Sequence, residues 1–470
     1  MFRATLLSAL TITTAFFSLS SMAQTLPEHS VLPDQTMLPN AAQVGIIVET
    51  SHIKTSTKSN QFFPPASTLK LFTALAAKLE LGNNFTYQTT LKRHNEDVVL
   101  RFSGDPSFTS QDLVNLLKDS KLTNISGDII IDQSAFTGYE KGVGWPWDIL
   151  GVCYSAVSSA ITLNGNCVMA SIYTNADGST RVFTPKHQPV SVTTTAKAVT
   201  KEQQKKQYCD LDLSTTLDNQ YQLSGCLVKQ NEPLPLNFAV QNPFNYSASV
   251  LKQLLIANNI TFRGKIQQAI EPQPSDEILA QHQSQPLSEL LEHMLKDSDN
   301  LYANNLSKTI GAQYFNQAGS FRNGTEAIKR ILLEKANIDL KNAVIEDGSG
   351  LSRNNRITPN QLLAVLNYIK DHDSQLDIIS LMPTSGINGT LKYRSSMRKD
   401  PIKGNIIAKS GSLFATHNMA GFVLNKSGKP TTTFVQLITD YYPDPEQKGL
   451  PPLTVFERSF YQNMIQKAQK

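Results

Sequence analysis

Residues 64–84 read PPASTLKLFTALAAKLELGNN, and this stretch decides the fold. Pro64-Pro65 stops any upstream structure. Leu69, Phe72, Leu75, Ala76 and Leu79 then recur at helical spacing. Gly82-Asn83-Asn84 ends the run, as Gly and Asn do at helix C-termini. The spacing predicts a helix over 66–81 with Ser67 in its first turn. Residues three apart on a helix share a face, which sets the Lys70 amine against the Ser67 hydroxyl. A serine hydroxyl is a poor nucleophile until a base takes its proton. A lysine serves as that base only when burial or a neighbouring cation depresses its pKa. The same S-x-x-K spacing also occurs at Ser51/Lys54 and Ser396/Lys399, where no helix start matches it. The plain alternative for any single match is a surface serine one turn before a surface lysine.

Two further triplets add to the first. Ser298-Asp299-Asn300 interrupts two helical runs, after Leu287, Leu290, Leu291, Met294 and Leu295 and before LYANNLSKTI. The hydroxyl can relay a proton, and the amide offers a donor and an acceptor to a peptide-like substrate. Alone, the triplet reads first as a helix cap, because Ser, Asp and Asn are the preferred capping residues. Lys409-Ser410-Gly411 ends the strand-like run NIIAKSG. It presents a cation, a hydroxyl for a carboxylate, and a residue without a side chain for close backbone approach. The second K-S-G, at Lys426-Ser427-Gly428, reads as a hairpin turn between MAGFVL and TTFVQLIT.

The chain around these motifs has 470 residues, with 43 Lys plus Arg against 39 Asp plus Glu and a formal net charge of +4. The length is ample for several domains. The basic residues are scattered, with no basic block interleaved with aromatics, so nucleic acid is excluded as an expected partner. Arg3, the apolar run Leu6 to Leu19 and Ser21-Met22-Ala23 read as an export signal cleaved after Ala23. Cys153, Cys167, Cys209 and Cys226 form an even set in an exported chain, which reads as two disulfides. Three connectivities are possible; Cys153–Cys167 and Cys209–Cys226 are favoured because each closes a short loop. No C-x-x-C or H-E-x-x-H occurs, so no metal site and no cofactor is expected.

Gln43 to Thr50 reads as a strand. FTYQTTLK and DVVLRF read as a hairpin, and Thr109 with Asp112 as the start of a short helix. Residues 152–264 are rich in Thr, Ser, Gln and Asn, with short strand-like runs. Residues 89–279 are therefore expected to form an insertion of one or two small β-rich subdomains. Thr358-Pro359 opens another helix, and a final amphipathic helix runs from about Leu453 to Gln469. Its stripe of Val455, Phe456, Phe460, Met464 and Ile465 is expected to pack on a sheet, with at most a loose membrane association as the alternative.

Serine-x-x-lysine, serine-x-asparagine and lysine-(Ser/Thr)-glycine, in that order, form the motif set of penicillin-binding proteins and serine β-lactamases. Over nearly its whole mature length the chain resembles the class C low-molecular-mass penicillin-binding proteins. These are D-alanyl-D-alanine carboxypeptidase/endopeptidases, penicillin-binding protein 4-like, of peptidase family S13. Ser103-Gly104-Asp105-Pro106, Gly144-Trp145-Pro146-Trp147, the run Glu346 to Arg353, and Asn388-Gly389-Thr390-Leu391 with Arg394 share in the resemblance. Ser410 departs from it, since the family usually has Thr there.

The resemblance implies an α/β (α+β) fold: a transpeptidase/β-lactamase-like domain, 24–88 and 280–470, with an antiparallel sheet between helical layers. It implies a periplasmic serine DD-peptidase acting on peptidoglycan stem peptides and cross-links, with β-lactam antibiotics as covalent inhibitors. Ser67 is then the nucleophile and Lys70 its base. Ser298, Asn300 and Lys409 complete the catalytic set; Ser410, Gly411 and Ser412 bind substrate, with the Ser67 and Ser412 N–H groups as oxyanion hole. The alternatives are a catalytically inactive peptidoglycan-binding adaptor on the same scaffold and a serine β-lactamase.

Overall fold

The computed structural model of the protein describes residues 32–469. The expected export signal lies outside them. Its central sheet joins two distant parts of the chain. The strands are β1 (Gln43–Glu49), β2 (Lys54–Thr57), β3 (Ile406–Leu413), β4 (Thr416–Leu424) and β5 (Pro430–Thr439). They lie in the order β3-β4-β5-β1-β2, and every neighbouring pair is antiparallel. β1 pairs with β5 along its full length, with Ile47 opposite Val435. Alternation along the strands sends side chains to both faces. Both faces are covered here, so β1 reads as a nearly unbroken apolar run.

On one face Ile47, Val435 and Leu437 join a core with α1 (Lys70–Leu81), α2 (Leu287–Lys296), α3 (Asn300–Phe315), α4 (Phe321–Ala336) and α5 (Pro359–Leu376). On the other, Ile46, Val48, Phe434 and Ile438 pack on Phe456, Phe460, Met464 and Ile465 of α6 (Pro452–Ala468). The C-terminal stripe is thus committed to the sheet, with Val455 left partly exposed. Among the described residues no helix is long and apolar enough to cross a membrane.

The segment between α1 and α2 enters and leaves on paired strands, Gln88–His94 and Glu277–Gln283, with Gln88 opposite Gln283. These belong to a mixed five-stranded sheet that also holds Asp97–Arg101, Ile129–Asp132 and Ile266–Ala269. A four-stranded and a three-stranded sheet follow within 167–239. Cys153–Cys167 and Cys209–Cys226 are both bonded, with Cα atoms 5.3 and 5.7 Å apart. Three helices are not anticipated by the sequence pattern, the shortest being Lys201–Gln207. Pro243–Ala257 is opened by the Asn242 cap and a first-position Pro, inside a segment read as β-rich. α4 is opened by a reciprocal Ser320/Asn323 capping box.

Candidate active site

The serine turn differs from the expected α-helical start. Ala66–Leu69 form a 3₁₀ turn and the α-helix begins at Lys70. In a 3₁₀ turn residues three apart eclipse one another, so the side chains of Ser67 and Lys70 line up more directly than in an α-helix. Ala66 enters the turn in the left-handed region, at φ 47°. Such a backbone needs outside support. Asn418 of β4 supplies it, donating to the carbonyls of Pro64 and Pro65 at 2.9 and 2.8 Å. Gly350, at φ 85°, lets the 346–353 loop pass over the turn; a Cβ there would fall 1.9 Å from the Ala66 carbonyl oxygen. Gly411 plays the same part on the strand side, since a Cβ would stand 2.9 Å from the Ser67 nitrogen.

Lys70 is fully buried and donates from Nζ to three oxygens: Ser67 Oγ at 3.1 Å, Asn300 Oδ1 at 2.6 Å and the Ser349 carbonyl at 2.8 Å. Burial pulls its pKa down to about 7, against the opposing pull of the Asp347 and Asp299 carboxylates. A lysine there is ready to accept a proton near neutrality.

Ser298 lies in the α2–α3 connection with φ 60°, again left-handed. Asp299 caps α3 through the Tyr302 N–H, so the capping reading of this triplet holds for its middle residue. The flanking residues face the site. Lys409 donates to Ser298 Oγ at 2.8 Å and to the Ser410 carbonyl at 3.0 Å. It is fully buried, and burial with the nearby charge of Lys70 holds its pKa well below the ordinary lysine range. Asn300 donates from Nδ2 to the Tyr154 carbonyl at 2.8 Å, which orients Oδ1 toward Lys70. Tyr154 sits beside the Cys153–Cys167 bond, so that disulfide anchors the turn contacting Asn300.

Ser410 Oγ and Thr390 Oγ1 are 2.9 Å apart. Ser412 is exposed at the end of β3. Ser67, Ser298 and Asn300 are half-buried around the two buried lysines. The three motifs thus meet at one place. The other S-x-x-K serines and the second K-S-G lie elsewhere: Ser249 donates to the Asn245 carbonyl of its own helix, Ser396 donates to Glu457, and Ser427 donates to Asn425 in the β4–β5 turn.

Asp347 organises the site from behind and was given no role by the sequence reading. It is fully buried and accepts from the Trp145 indole, the Gly350 and Ser352 N–H groups and the Asn355 amide. This arrangement holds the loop whose Ser349 carbonyl receives Lys70. Ser349 itself turns its hydroxyl to Asp347 at 3.3 Å, so its side chain braces this loop. The signal was present, since both partners fall in the runs Gly144–Trp147 and Glu346–Arg353 that carried the resemblance.

A second buried lysine network ties α3 to the segment after α1. Lys308 donates to the Tyr139 and Ser158 carbonyls at 2.8 and 2.6 Å, under the Phe321 ring. One turn earlier Asn305 donates to the Gly104 carbonyl at 2.9 Å and accepts from Ser158 Oγ at 2.7 Å.

The chain matches the D-Ala-D-Ala carboxypeptidase 3 (S13) family over residues 30–457. It is 35% identical to the D-alanyl-D-alanine carboxypeptidase DacB of Haemophilus influenzae, over 91% of this chain and 92% of that protein. An Actinomadura D-alanyl-D-alanine carboxypeptidase is 26% identical over 78% of this chain and 71% of its own length. The crystal structure of penicillin binding protein 4 from Haemophilus influenzae superposes with a TM-score of 0.85, at 34% identity, covering 91% of this chain and 98% of that one. The same protein complexed with a β-lactam superposes at 0.80 and 33% identity, covering 93% and 98%. Length, motif order and fold agree, and the chain belongs to the D-Ala-D-Ala carboxypeptidase 3 (S13) family.

Proposed function

We propose that the protein is a serine DD-peptidase of the bacterial cell wall, exported to the periplasm and acylated by penicillin. Its substrates are stem peptides ending in D-Ala-D-Ala, and the D-Ala–diaminopimelate cross-links between them. The observation that carries this reading is the buried Lys70 amine, 3.1 Å from the Ser67 hydroxyl.

In this mechanism Ser67 Oγ attacks the carbonyl of the penultimate D-Ala while Lys70 takes the hydroxyl proton. The negative oxygen that forms is held by the N–H groups of Ser67 and Ser412. Asn300 holds a backbone amide of the substrate. Ser298 passes a proton to the leaving amine and is itself supplied by Lys409 or Lys70. The amide C–N bond breaks and D-Ala, or the amine side of a cross-link, departs. Ser410 and the Lys409 amine hold the terminal carboxylate by hydrogen bonds in carboxypeptidase action. Water then opens the Ser67 ester, losing its proton to Lys70. Penicillin forms the same ester through its lactam carbonyl and leaves it slowly.

Fluorescent penicillin on the purified mature protein, with Ser67→Ala beside it, tests this. Stable label on wild type alone, with D-Ala released from a stem pentapeptide, supports the peptidase. Folded wild type that takes no label and leaves the drug intact points to an inactive adaptor. Rapid drug hydrolysis without lasting label points to a β-lactamase.

A further inference from the structure

His293, on α2, lies outside the three motifs, yet it touches both neighbours of Ser298. Its Nδ1 is 3.0 Å from an Asp297 carboxylate oxygen and its Nε2 is 3.4 Å from Asp299. The Tyr302 ring of α3 covers it, with centroids 4.3 Å apart. The imidazole therefore spans the connection that holds Ser298 at φ 60°. A non-glycine residue persists there only when its surroundings over-determine it.

We propose that His293 is a positioning residue for Ser298. It bridges the carboxylates of Asp297 and Asp299 and so holds the turn in which the Ser298 hydroxyl meets Lys409. This rests on the reading of Ser67 as the acylated nucleophile. The bridge is complete only when both ring nitrogens carry protons, because both partners are acceptors.

The groups facing the ring are few. Asp297 faces it from the C-cap of α2, Asp299 from the N-cap of α3 and Tyr302 from α3 itself. Glu292 on α2 pairs with Lys296. Leu290, Leu291, Met294 and Leu295 carry the packing of α2 on the rest of the core. The hydrogen bond to Asp299 raises the His293 pKa from its ordinary value, burial opposes this, and the charges of Asp299 and Asp297 add to the rise. The bridge is thus charged at low pH and is lost as pH rises through that raised value. Asp299 also pulls the Lys70 pKa upward.

The test is the rate of penicillin acylation against pH for wild type, His293→Gln and Asp297→Asn, with Ser67→Ala as blank. At about pH 6 His293→Gln is expected to acylate about threefold more slowly, the range of a half-exposed ion pair. The ratio to wild type returns toward unity as the imidazole of wild type loses its proton. Asp297→Asn keeps the ring and gives a smaller drop with the same pH dependence. The double variant is no slower than His293→Gln. A ratio that stays constant with pH in both variants overturns the proposal, as does an Asp297→Asn profile identical to wild type. Wild type that takes no label at any pH overturns the Ser67 reading on which the proposal stands, and is a different result.

Discussion

Lys409 and Ser298 are 111 residues apart in the chain, yet the lysine amine donates to the serine hydroxyl at 2.8 Å. The contact joins the edge strand β3 to the α2–α3 connection. A few ångströms of sliding between sheet and helices would break it. The packing of α1 against both is therefore part of the catalytic geometry, and sub-ångström placement matters to rate.

Acylation should depend on pH through Lys70. The base must be neutral to accept the Ser67 proton, and its pKa is about 7. Penicillin acylation is expected to rise with pH through that value and then level. Lys70→Met should lower the rate by about 10²–10⁴, the range for losing a general base. Stopped-flow acylation rates across pH check both; a flat profile would contradict the assignment of Lys70.

Ser410 should govern binding more than turnover. Its hydroxyl is placed by Thr390 at 2.9 Å. Ser410→Ala removes one hydrogen bond to a charged carboxylate, a loss of about 1.5–3 kcal/mol. The expected result is a KM for D-Ala-D-Ala peptides raised by at least about tenfold, with kcat changed less. Ser410→Thr keeps the hydroxyl and should retain activity. Steady-state kinetics on a stem pentapeptide decides this.

Glu457 should make stability depend on Arg394. The carboxylate is almost fully buried on α6 and accepts from Arg394, Ser396 and Gln436. Burial alone would raise its pKa, but the Arg394 charge and these hydrogen bonds outweigh burial and lower it. A carboxyl lowered on folding stabilises above its unfolded pKa, and that share is lost as pH falls through the folded value. Arg394→Ala strands a buried charge and should cost about 3–5 kcal/mol. Urea unfolding at neutral pH measures the loss, and the gap between variant and wild type should narrow in acid.

The two disulfides should differ in consequence. Cys153–Cys167 adjoins the Tyr154 carbonyl that receives Asn300, whereas Cys209–Cys226 joins a helix end to a strand of the inserted sheets. Each closes a short loop, of 14 and 17 residues, so each should contribute about 3 kcal/mol to stability. Replacing the first pair with serines should also slow acylation. Replacing the second should lower stability and leave the acylation rate of folded protein unchanged.

Much of this was legible before the coordinates. Pro64-Pro65, the apolar spacing of α1 and the Asp299 cap announced the helices that carry the site, because they rest on contacts within a few residues. The capping boxes at Thr109/Asp112 and Thr358/Gln361 formed as local chemistry dictates. The 3₁₀ start at Ser67 was not legible, since Asn418, Gly350 and Gly411 impose it from other elements. Asp347 escaped a role for the same reason: its partner Trp145 is 202 residues away.

The sequence by itself determined the motif order, the reactive residue types and the strands and helices that bear them. These follow from side-chain chemistry and from periodicity over a few turns of chain. Only the tertiary structure decided which of the S-x-x-K serines meets a buried lysine. It also decided which carbonyls receive that lysine and what holds Ser298 in a left-handed turn. Burial and long-range hydrogen bonds set a lysine's basicity, and both are properties of packed elements that no short stretch of chain possesses alone.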